Sequence, residues 1–233
     1  MITIALIGGD GAGKSAVADL LRSNFPKPMK YLYMGINIES SNITLPTSRF
    51  IEKMKKGSSP SPNGNGQPNS LHNRPKGKKK KNPVWRYVRL VNRVAEEWYR
   101  QLVSINFRRK GFNVLYDRHF LFDFARDPQE SDSEFKNREL DDRLHRWLLH
   151  RFYPEPDLVL FLYAPAEVLF ARKGEATIEY LDNIQKQYLG QGERMKNFVV
   201  IDATQPLDKV YEDVCAEINR FYQQNNGKPK VKA

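Results

Sequence analysis

An eight-residue glycine-rich stretch constrains this chain more than any other part of its sequence. It reads GGDGAGKS at residues 8–15 and directly follows the apolar run ITIALI at residues 2–7. The spacing fits the pattern G-x-x-x-x-G-K-[ST], in which glycines let consecutive backbone N–H groups turn around phosphate oxygens. Apolar residues then recur at helical spacing over residues 16–21. A strand, this loop and a helix in that order predict a phosphate-binding site rather than a glycine-rich turn that binds nothing.

Each side chain of this loop has its own expected role in nucleotide binding. Lys14 supplies a positive charge near the β- and γ-phosphates, and the hydroxyl group of Ser15 is a ligand for Mg²⁺. Asp10 lies inside the loop, where its carboxylate either faces Mg²⁺ or a hydroxyl group or is simply exposed to solvent. The residues predicted to bind the nucleotide here are Gly8, Gly11, Ala12, Gly13, Lys14, Ser15 and Ala16.

The net charge of +11 is confined to two parts of the chain. Nine lysines and arginines and a single acidic residue lie within residues 52–83, and three lysines lie in the last six residues, so the remainder is near neutral. Residues 57–70 contain only Gly, Ser, Pro, Asn and Gln. We therefore expect a disordered basic insert at about 54–82 and a flexible basic tail at 223–233. The insert either contacts nucleic acid or anionic lipid or is a solvated loop without a fixed partner.

Length and cysteine content limit the class of protein. A chain of 233 residues with 40% hydrophobic content predicts one domain, placed at residues 1–222. The single cysteine, Cys215, excludes an intramolecular disulfide. Because the sequence shows neither a secretory signal nor an apolar run of membrane-spanning length, we expect a cytoplasmic protein.

Apolar runs with the character of strands alternate with helical patterns along the chain. This alternation predicts an α/β fold with a parallel sheet and helices on both faces. After the first strand, strands are expected at 30–35, 112–119, 157–164 and 197–203, and helices at about 137–152, 165–172, 177–189 and 206–222. A longer helix is expected from Val84 to a C-cap at Gly111, with one apolar face formed by Val84, Val88, Val91, Ala95, Trp98, Leu102 and Ile105.

Two further sites with charged residues follow predicted strands or helices. Ligands of such sheets bind at the carboxyl ends of the strands, where YDRH places Asp117 and Arg118. Asp117 can hold Mg²⁺ and Arg118 can bind an oxyanion with two N–H groups, whereas a buried ion pair is the structural alternative. Arg172 and Lys173 directly precede Gly174, at the predicted end of a helix. These two basic residues either belong to a lid that closes over a polyphosphate or interact with the helix dipole in the ordinary way.

Taken together, these motifs resemble thymidylate kinases of the P-loop nucleoside monophosphate kinase group. The resemblance covers roughly residues 1–25 and 95–222 and is carried by GGDGAGKS, YDRH, PDLVLFLYAPAEVLFARKGE and FVVIDATQPLDKVYEDVCAEI. It implies a P-loop NTPase-type five-stranded parallel sheet wrapped by helices. It also implies ATP with Mg²⁺ as the donor, a small phosphorylated acceptor, and an assembly that can be a homodimer.

The resemblance also implies roles for residues on the donor side. Lys14 and Ser15 would handle the ATP phosphates and Mg²⁺. Arg172 would stack on the adenine, and the backbone of the segment after Asp202, which includes Ala203 and Gln205, would contact the purine.

On the acceptor side, the resemblance places Asp10 between the metal and the sugar of the acceptor. Asp117 would lie on the Mg²⁺ side and Arg118 on the side of the acceptor phosphate. YMGINIESSN at residues 33–42 stands where the family has an Arg-Glu-Pro-Gly-Gly-Thr loop, and the position of the base-reading arginine falls near Glu96, with Arg93 and Arg100 about one turn away.

Three functions therefore remain open at the level of sequence. The leading prediction is transfer of the ATP γ-phosphoryl group to a nucleoside monophosphate that resembles dTMP. A second keeps the donor and has a sugar, a sugar phosphate or a nucleoside as the acceptor. The third is a non-catalytic nucleotide-binding protein whose basic insert binds nucleic acid or membrane.

Overall fold

A computed structural model describes most of the predicted domain. The described residues are 1–35, 42, 43, 45, 83–123, 140–174 and 176–226, without the side chains of residues 83–86, 89, 123 and 141. The predicted insert at 54–82 lies outside the described residues. We number the helices and strands in chain order within the described residues.

The described residues form a five-stranded, all-parallel sheet with helices on both faces, which confirms the predicted fold class. The strands are β1 (Thr3–Gly8), β2 (Met29–Tyr33), β3 (Asn113–Asp117), β4 (Leu158–Tyr163) and β5 (Phe198–Asp202). The helices are α1 (Lys14–Asn24), α2 (Pro83–Arg109), α3 (Phe120–Asp123), α4 (Leu140–Phe152), α5 (Ala166–Lys173), α6 (Ile178–Gly192) and α7 (Leu207–Asn226).

The strand order β2-β3-β1-β4-β5 places β1 at the centre of the sheet. Every residue of β1 is buried, because helices cover both faces and such a strand is apolar throughout. Its register pairs Leu6 with Asp117 of β3 and Gly8 with Leu162 of β4. The loop after β1 and the residues after β3 therefore leave the sheet side by side, at its carboxyl edge.

Two apolar cores flank the sheet. One contains Leu6, Leu160 and Val17 of α1, together with Val214 of α7. The other contains Ile7, Phe161 and Tyr116, with side chains from α4 and α6. Both cores are continuous with the sheet, so the site at the carboxyl edge is supported from two sides.

Predicted element boundaries agree with the structure to within a few residues, with one larger difference at the end. Helix α7 continues to Asn226, so residues 223–226 of the predicted tail are helical, and residues 227–233 lie outside the described residues. The glutamines at 223 and 224 favour this extension, since Gln is a good helix former. Within the described part of the chain, no helix combines the length and the apolar composition needed to cross a membrane.

Candidate active site

The loop at residues 8–15 has the backbone geometry that its glycines allow. Gly11 has φ 92°, and a Cβ atom at this position would lie 2.6 Å from the carbonyl oxygen of Leu169, so a larger residue would collide with α5. Gly13 has φ 85° and is the N-cap of α1. Because both conformations are left-handed, they favour glycine over residues that carry a Cβ atom. The loop thus turns sharply into the first turn of α1.

The N-terminus of α1 has no side-chain cap, since Gly13 has no side chain that could accept a hydrogen bond. The first N–H groups of a helix lack intrahelical partners and carry the positive end of the helix dipole. Such an end is a binding site for anions. Ser15 lies in this first turn and is exposed. The loop and α1 therefore fit a phosphate group, and the serine hydroxyl group is accessible to a bound cation.

Lys14 folds back over the loop that precedes it. Its Nζ donates hydrogen bonds to the carbonyl oxygens of Gly8 at 2.9 Å and Gly9 at 2.8 Å. Burial lowers the pKa of Lys14 to about 8, and the positive charge of Arg118 acts in the same direction, while Asp10 opposes the shift. Two carbonyl groups thus hold the ammonium group beside the loop, where a phosphate group would bind.

Asp117 ends β3 and is buried at the same edge. Its Oδ2 accepts a hydrogen bond of 2.7 Å from the hydroxyl group of Tyr31, which lies on the neighbouring strand β2. Burial and the contact with Asp117 both raise the pKa of Tyr31, so the phenol stays protonated and donates. Oδ1 of Asp117 is buried and has no hydrogen-bond partner among the described residues. A carboxylate with one oriented and one open oxygen fits a metal ligand.

Arg118 forms an ion pair across the mouth of the loop. Its Nη2 lies 2.6 Å from Oδ1 of Asp10, and Lys14 Nζ lies 3.9 Å from the same oxygen. Burial would raise the pKa of Asp10, but the charges of Arg118 and Lys14 outweigh it and hold the pKa below its usual value. Lys173 of α5 contributes to the same lowering, so its charge also faces the loop. The structure therefore brings Asp10, Lys14, Asp117 and Arg118 together, as the sequence predicts.

Arg172 joins α5 to the segment after β5. Its guanidinium donates to the carbonyl oxygen of Ala203 at 2.7 Å and to that of Thr204 at 3.3 Å. The N–H group of Ala203 donates to the carbonyl oxygen of Tyr163, so the backbone of this buried residue is bonded on both sides. Gln205 is partly exposed beside it. Arg172 is thus bonded to the backbone of Ala203 and Thr204, and Gln205 follows directly in the chain.

The resemblance places the base-reading arginine near Glu96, with Arg93 and Arg100 about one turn away, and the structure buries Arg100. Its side chain is 1% exposed and forms an ion pair with Glu96 at 2.9 Å. Nη1 donates to the carbonyl oxygens of Tyr33 at 3.3 Å and Gly35 at 2.9 Å. The other carboxylate oxygen of Glu96 accepts from the N–H group of Leu45 at 2.9 Å. The pair fixes the segment that follows β2.

His119 follows this set of residues but lies in the core. It is fully buried between the rings of Tyr116 and Tyr153, and its Nε2 has no hydrogen-bond partner among the described residues. Burial lowers the pKa of His119 to about 3. The imidazole is therefore neutral at physiological pH and packs in the core against the rings of Tyr116 and Tyr153.

No family profile and no curated protein matches the chain. Among solved structures, it is similar to the deoxyadenosine kinase of M. mycoides, determined with the products dCMP and a flexible dCDP. The TM-score is 0.54 at 16% identity, over 94% of this chain and 100% of that one. The chain shares the fold of this kinase.

Two contributions to this site have no signal in the sequence motifs. Tyr31 lies 86 positions before Asp117 and meets it only because β2 pairs with β3 in parallel, with Tyr33 opposite Asp117. The Glu96–Arg100 pair has the ordinary i, i+4 spacing of an exposed helical ion pair, yet it is buried. A prediction of the register between β2 and β3 would have found Tyr31, because both residues then lie on the same face of the sheet.

Proposed function

We propose that the protein is an ATP-dependent phosphotransferase that acts on a nucleoside or a nucleoside monophosphate. The observation that carries this proposal is that charged side chains from two elements lie close together. Lys14 and Asp10 come from the loop after β1, and Asp117 and Arg118 come from the end of β3. A protein that only holds a nucleotide needs the loop alone. Phosphoryl transfer also needs charges placed around the transferring group, which these side chains provide.

On the donor side, the loop N–H groups and the first turn of α1 would hold the phosphates of ATP. Lys14 would exchange its bonds to the carbonyl groups of Gly8 and Gly9 for oxygens of the β- and γ-phosphates. Mg²⁺, when bound, would neutralise part of the phosphate charge, and the residues placed to hold it are Ser15 and the open oxygen of Asp117. Arg172, beside Ala203 and Gln205, would border the adenine.

On the acceptor side, Arg118 would bind an oxygen of the group that is transferred or of the acceptor. The ion pair with Asp10 orients the guanidinium before any ligand binds. Positioning of this kind lowers the barrier because charge is met by groups that need no rearrangement. Asp10 would face the sugar hydroxyl groups of the acceptor.

Two acceptors are consistent with these side chains. The motif pattern favours a nucleoside monophosphate such as dTMP. A nucleoside is favoured by the state of Arg100, which is buried and already bonded to Glu96 and two carbonyl groups, so it does not offer its charge to an acceptor phosphate. The deoxyadenosine kinase of similar fold supports this second candidate by analogy only.

An acceptor panel separates the candidates. Purified protein with Mg²⁺ and radiolabelled ATP is offered deoxynucleosides, nucleoside monophosphates that include dTMP, sugars and sugar phosphates, and each product is identified by mass. Label in a nucleoside diphosphate supports the first acceptor, and label in a monophosphate supports the second. Label in a sugar product would exclude both acceptors and support a sugar or a sugar phosphate instead.

A matched variant separates catalysis from a binding function. Asp117→Asn keeps the shape of the side chain and removes its charge, so it should abolish transfer and leave nucleotide binding measurable. If the wild type binds ATP but transfers label to no acceptor, the proposal fails and a non-catalytic nucleotide-binding protein remains. In that case, binding to heparin or anionic vesicles would test the basic insert.

A further inference from the structure

Helix α6 buries one polar side chain whose contacts do not explain it. The buried residues of this helix are Leu181, Gln185, Tyr188 and Gly192, which follow one another at steps of three and four residues and so form one face. Gln185 is 3% exposed, and its Oε1 is buried without a hydrogen-bond partner among the described residues. Such an oxygen lowers stability, because it has lost water and gained no other donor.

The local structure of α6 does not require glutamine at this position. Leucine and methionine form helices as readily as glutamine does. The neighbours on the buried face, Leu181 and Tyr188, belong to the two apolar cores. By contrast, the buried amide of Gln101 on α2 forms a hydrogen bond with the hydroxyl group of Tyr116. The burial of Gln185 therefore serves neither the helix nor the core, and its amide calls for a partner that binds to the protein.

The buried face of α6 places Gln185 beside the candidate active site. One turn before it, Leu181 borders the phosphate loop, since a Cβ atom on Gly9 would lie 3.6 Å from Cδ2 of Leu181. One turn after it, the ring of Tyr188 packs edge-on against that of Phe122, with the ring centroids 5.9 Å apart. Gln185 thus lies between the loop after β1 and helix α3, which follows β3.

These two segments also carry the ion pair on the acceptor side of the site. Asp10 directly follows Gly9, and Arg118 precedes Phe122 by four residues. Their side chains meet at 2.6 Å. Because Gln185 is within one helical turn of both contacts of α6 with these segments, its amide lies next to the space that an acceptor would fill.

The chemistry of the unpaired atom limits what it can bind. A carbonyl oxygen accepts hydrogen bonds and donates none. The oxygens of an ionised phosphate group also only accept, so phosphates are poor partners for Oε1 of Gln185. The hydroxyl groups of a sugar and the N–H groups of a base do offer hydrogens. The partner that fits Gln185 is therefore the nucleoside part of the acceptor and not the phosphates of the donor.

We propose that Gln185 binds the nucleoside part of the acceptor by accepting a hydrogen bond from one of its O–H or N–H groups. This inference rests on the phosphotransferase function proposed above, and it adds a residue of α6 to a site otherwise built from the segments after β1 and β3. The bond is completed only when the acceptor binds, so the empty protein carries the cost of the buried amide. A compound without the hydrogen would leave that amide unpaired, so Gln185 also helps to select the acceptor.

Gln185→Met tests the binding and the stability together. Methionine has nearly the same length and carries no polar group that must be paired, so the midpoint of urea unfolding should rise. Calorimetry without ATP gives the dissociation constants of thymidine, deoxyadenosine, dTMP and ADP. For the nucleoside or monophosphate that the wild type binds most tightly, the constant should rise about tenfold in the variant, as expected for one lost hydrogen bond. The constant for ADP should not change, because its phosphates bind to the loop.

Gln191→Met is the matched control. Gln191 lies near the other end of α6, and its Nε2 is also buried without a hydrogen-bond partner in the described part of the chain. The same substitution there should raise the urea midpoint and leave all the dissociation constants at their wild-type values. The two variants thus separate the gain in stability from the loss of acceptor binding.

Several results would overturn the proposal. These are unchanged acceptor binding by Gln185→Met, an equal weakening of ADP, and a wild type that binds neither nucleosides nor dTMP. A lower urea midpoint in Gln185→Met would also overturn it, because the amide would then have a stabilising partner within the protein. The proposed function is judged separately by the transfer of label from ATP. A wild type that binds a nucleoside through Gln185 but transfers no label would refute catalysis and leave this binding site in place.

Discussion

Nη2 of Arg118 lies 2.6 Å from Oδ1 of Asp10, and this contact joins the end of β3 to the loop after β1. The backbone of Arg118 has φ 63°, and it is the single non-glycine residue with a positive φ among the described residues. Its N–H group donates to the carbonyl oxygen of Leu6 at 3.0 Å. The chain thus adopts an unfavourable conformation at the residue that directs a guanidinium toward the loop, which is typical of functional sites.

This strain gives a prediction that separates the backbone of Arg118 from its side chain. Arg118→Gly should be more stable than Arg118→Ala by about 1 kcal/mol, because glycine adopts the left-handed conformation without cost. Both variants lose the guanidinium and should lose turnover by a factor on the order of 10² or more. Urea unfolding and transfer assays measure the two effects. Equal stability of the two variants would show that the backbone is not strained.

Tyr31 is predicted to position Asp117. Tyr31→Phe removes the donor to Oδ2, so the carboxylate should hold Mg²⁺ less well and the Mg²⁺ concentration for half-maximal binding should rise about tenfold. Calorimetric titration with Mg²⁺ in the presence of a non-hydrolysable ATP analogue measures this without turnover. Tyr163→Phe, on β4, is the control. An unchanged Mg²⁺ affinity in Tyr31→Phe would leave Tyr31 with a packing role only.

Lys14 is predicted to act on the phosphates rather than on folding. Lys14→Met should lower kcat by a factor on the order of 10² to 10³ or more, because the charge near the transferring group is lost. The unfolding free energy should change by no more than about 2 kcal/mol, since the lost bonds to Gly8 and Gly9 are offset by removal of a buried charge. Lys209→Met, at an exposed position of α7, serves as the control. Turnover near that of the wild type in a folded Lys14→Met protein would refute the kinase function.

Glu97 should make stability depend on pH. Burial raises the pKa of Glu97 above its ordinary value of 4.5, and the contact with His145 opposes this shift without cancelling it. Below 4.5 the group is protonated in both the folded and the unfolded state. As the pH rises, the unfolded state ionises first, so the contribution of Glu97 to stability is lost by the time the pH passes the raised pKa.

Glu97→Gln tests this dependence. The amide cannot ionise, so the fall in unfolding free energy between about pH 5 and pH 8 should be smaller than in the wild type. The difference should be about 1.4 kcal/mol for each tenfold by which the folded state binds the proton of Glu97 more tightly than the unfolded state. Urea unfolding across this range measures it. Glu179→Gln, on an exposed turn of α6, should keep the slope of the wild type, and the same slope in Glu97→Gln would contradict the assignment.

The geometry of the loop at residues 8–15 could be predicted because its determinants are local. The glycines at 11 and 13, Lys14 and Ser15 act within one loop, and their spacing is enough to define a phosphate site. Asp117 and Arg118 could be placed at the same edge because apolar parallel strands end in the residues that face ligands. These predictions needed no knowledge of which strand lies beside which.

The contacts of Tyr31 and Arg100 could not be predicted, because they join distant parts of the chain. The bond from Tyr31 to Asp117 depends on strand order and register, and the burial of Arg100 depends on the rotation of α2 about its axis. Apolar periodicity identifies the apolar face of a helix but does not say whether that face meets the sheet or another chain. For α2 the periodicity identifies an apolar face alone, while Arg100 and Glu97 are buried through their bonds to Glu96, the backbone after β2 and His145.

The central place of β1 has a consequence for synthesis of the chain. β1 is made before either of its neighbours in the sheet, which begin at Asn113 and Leu158. At about 5–20 residues per second, the strand TIALIG therefore exists for roughly 5 to 20 seconds before its first partner is made. During that time an apolar, β-prone segment has exposed backbone groups on both edges, which favours aggregation. Newly made chains should therefore depend on chaperones that hold this segment, and this dependence is set by the chain length between β1 and β3 rather than by the stability of the finished fold.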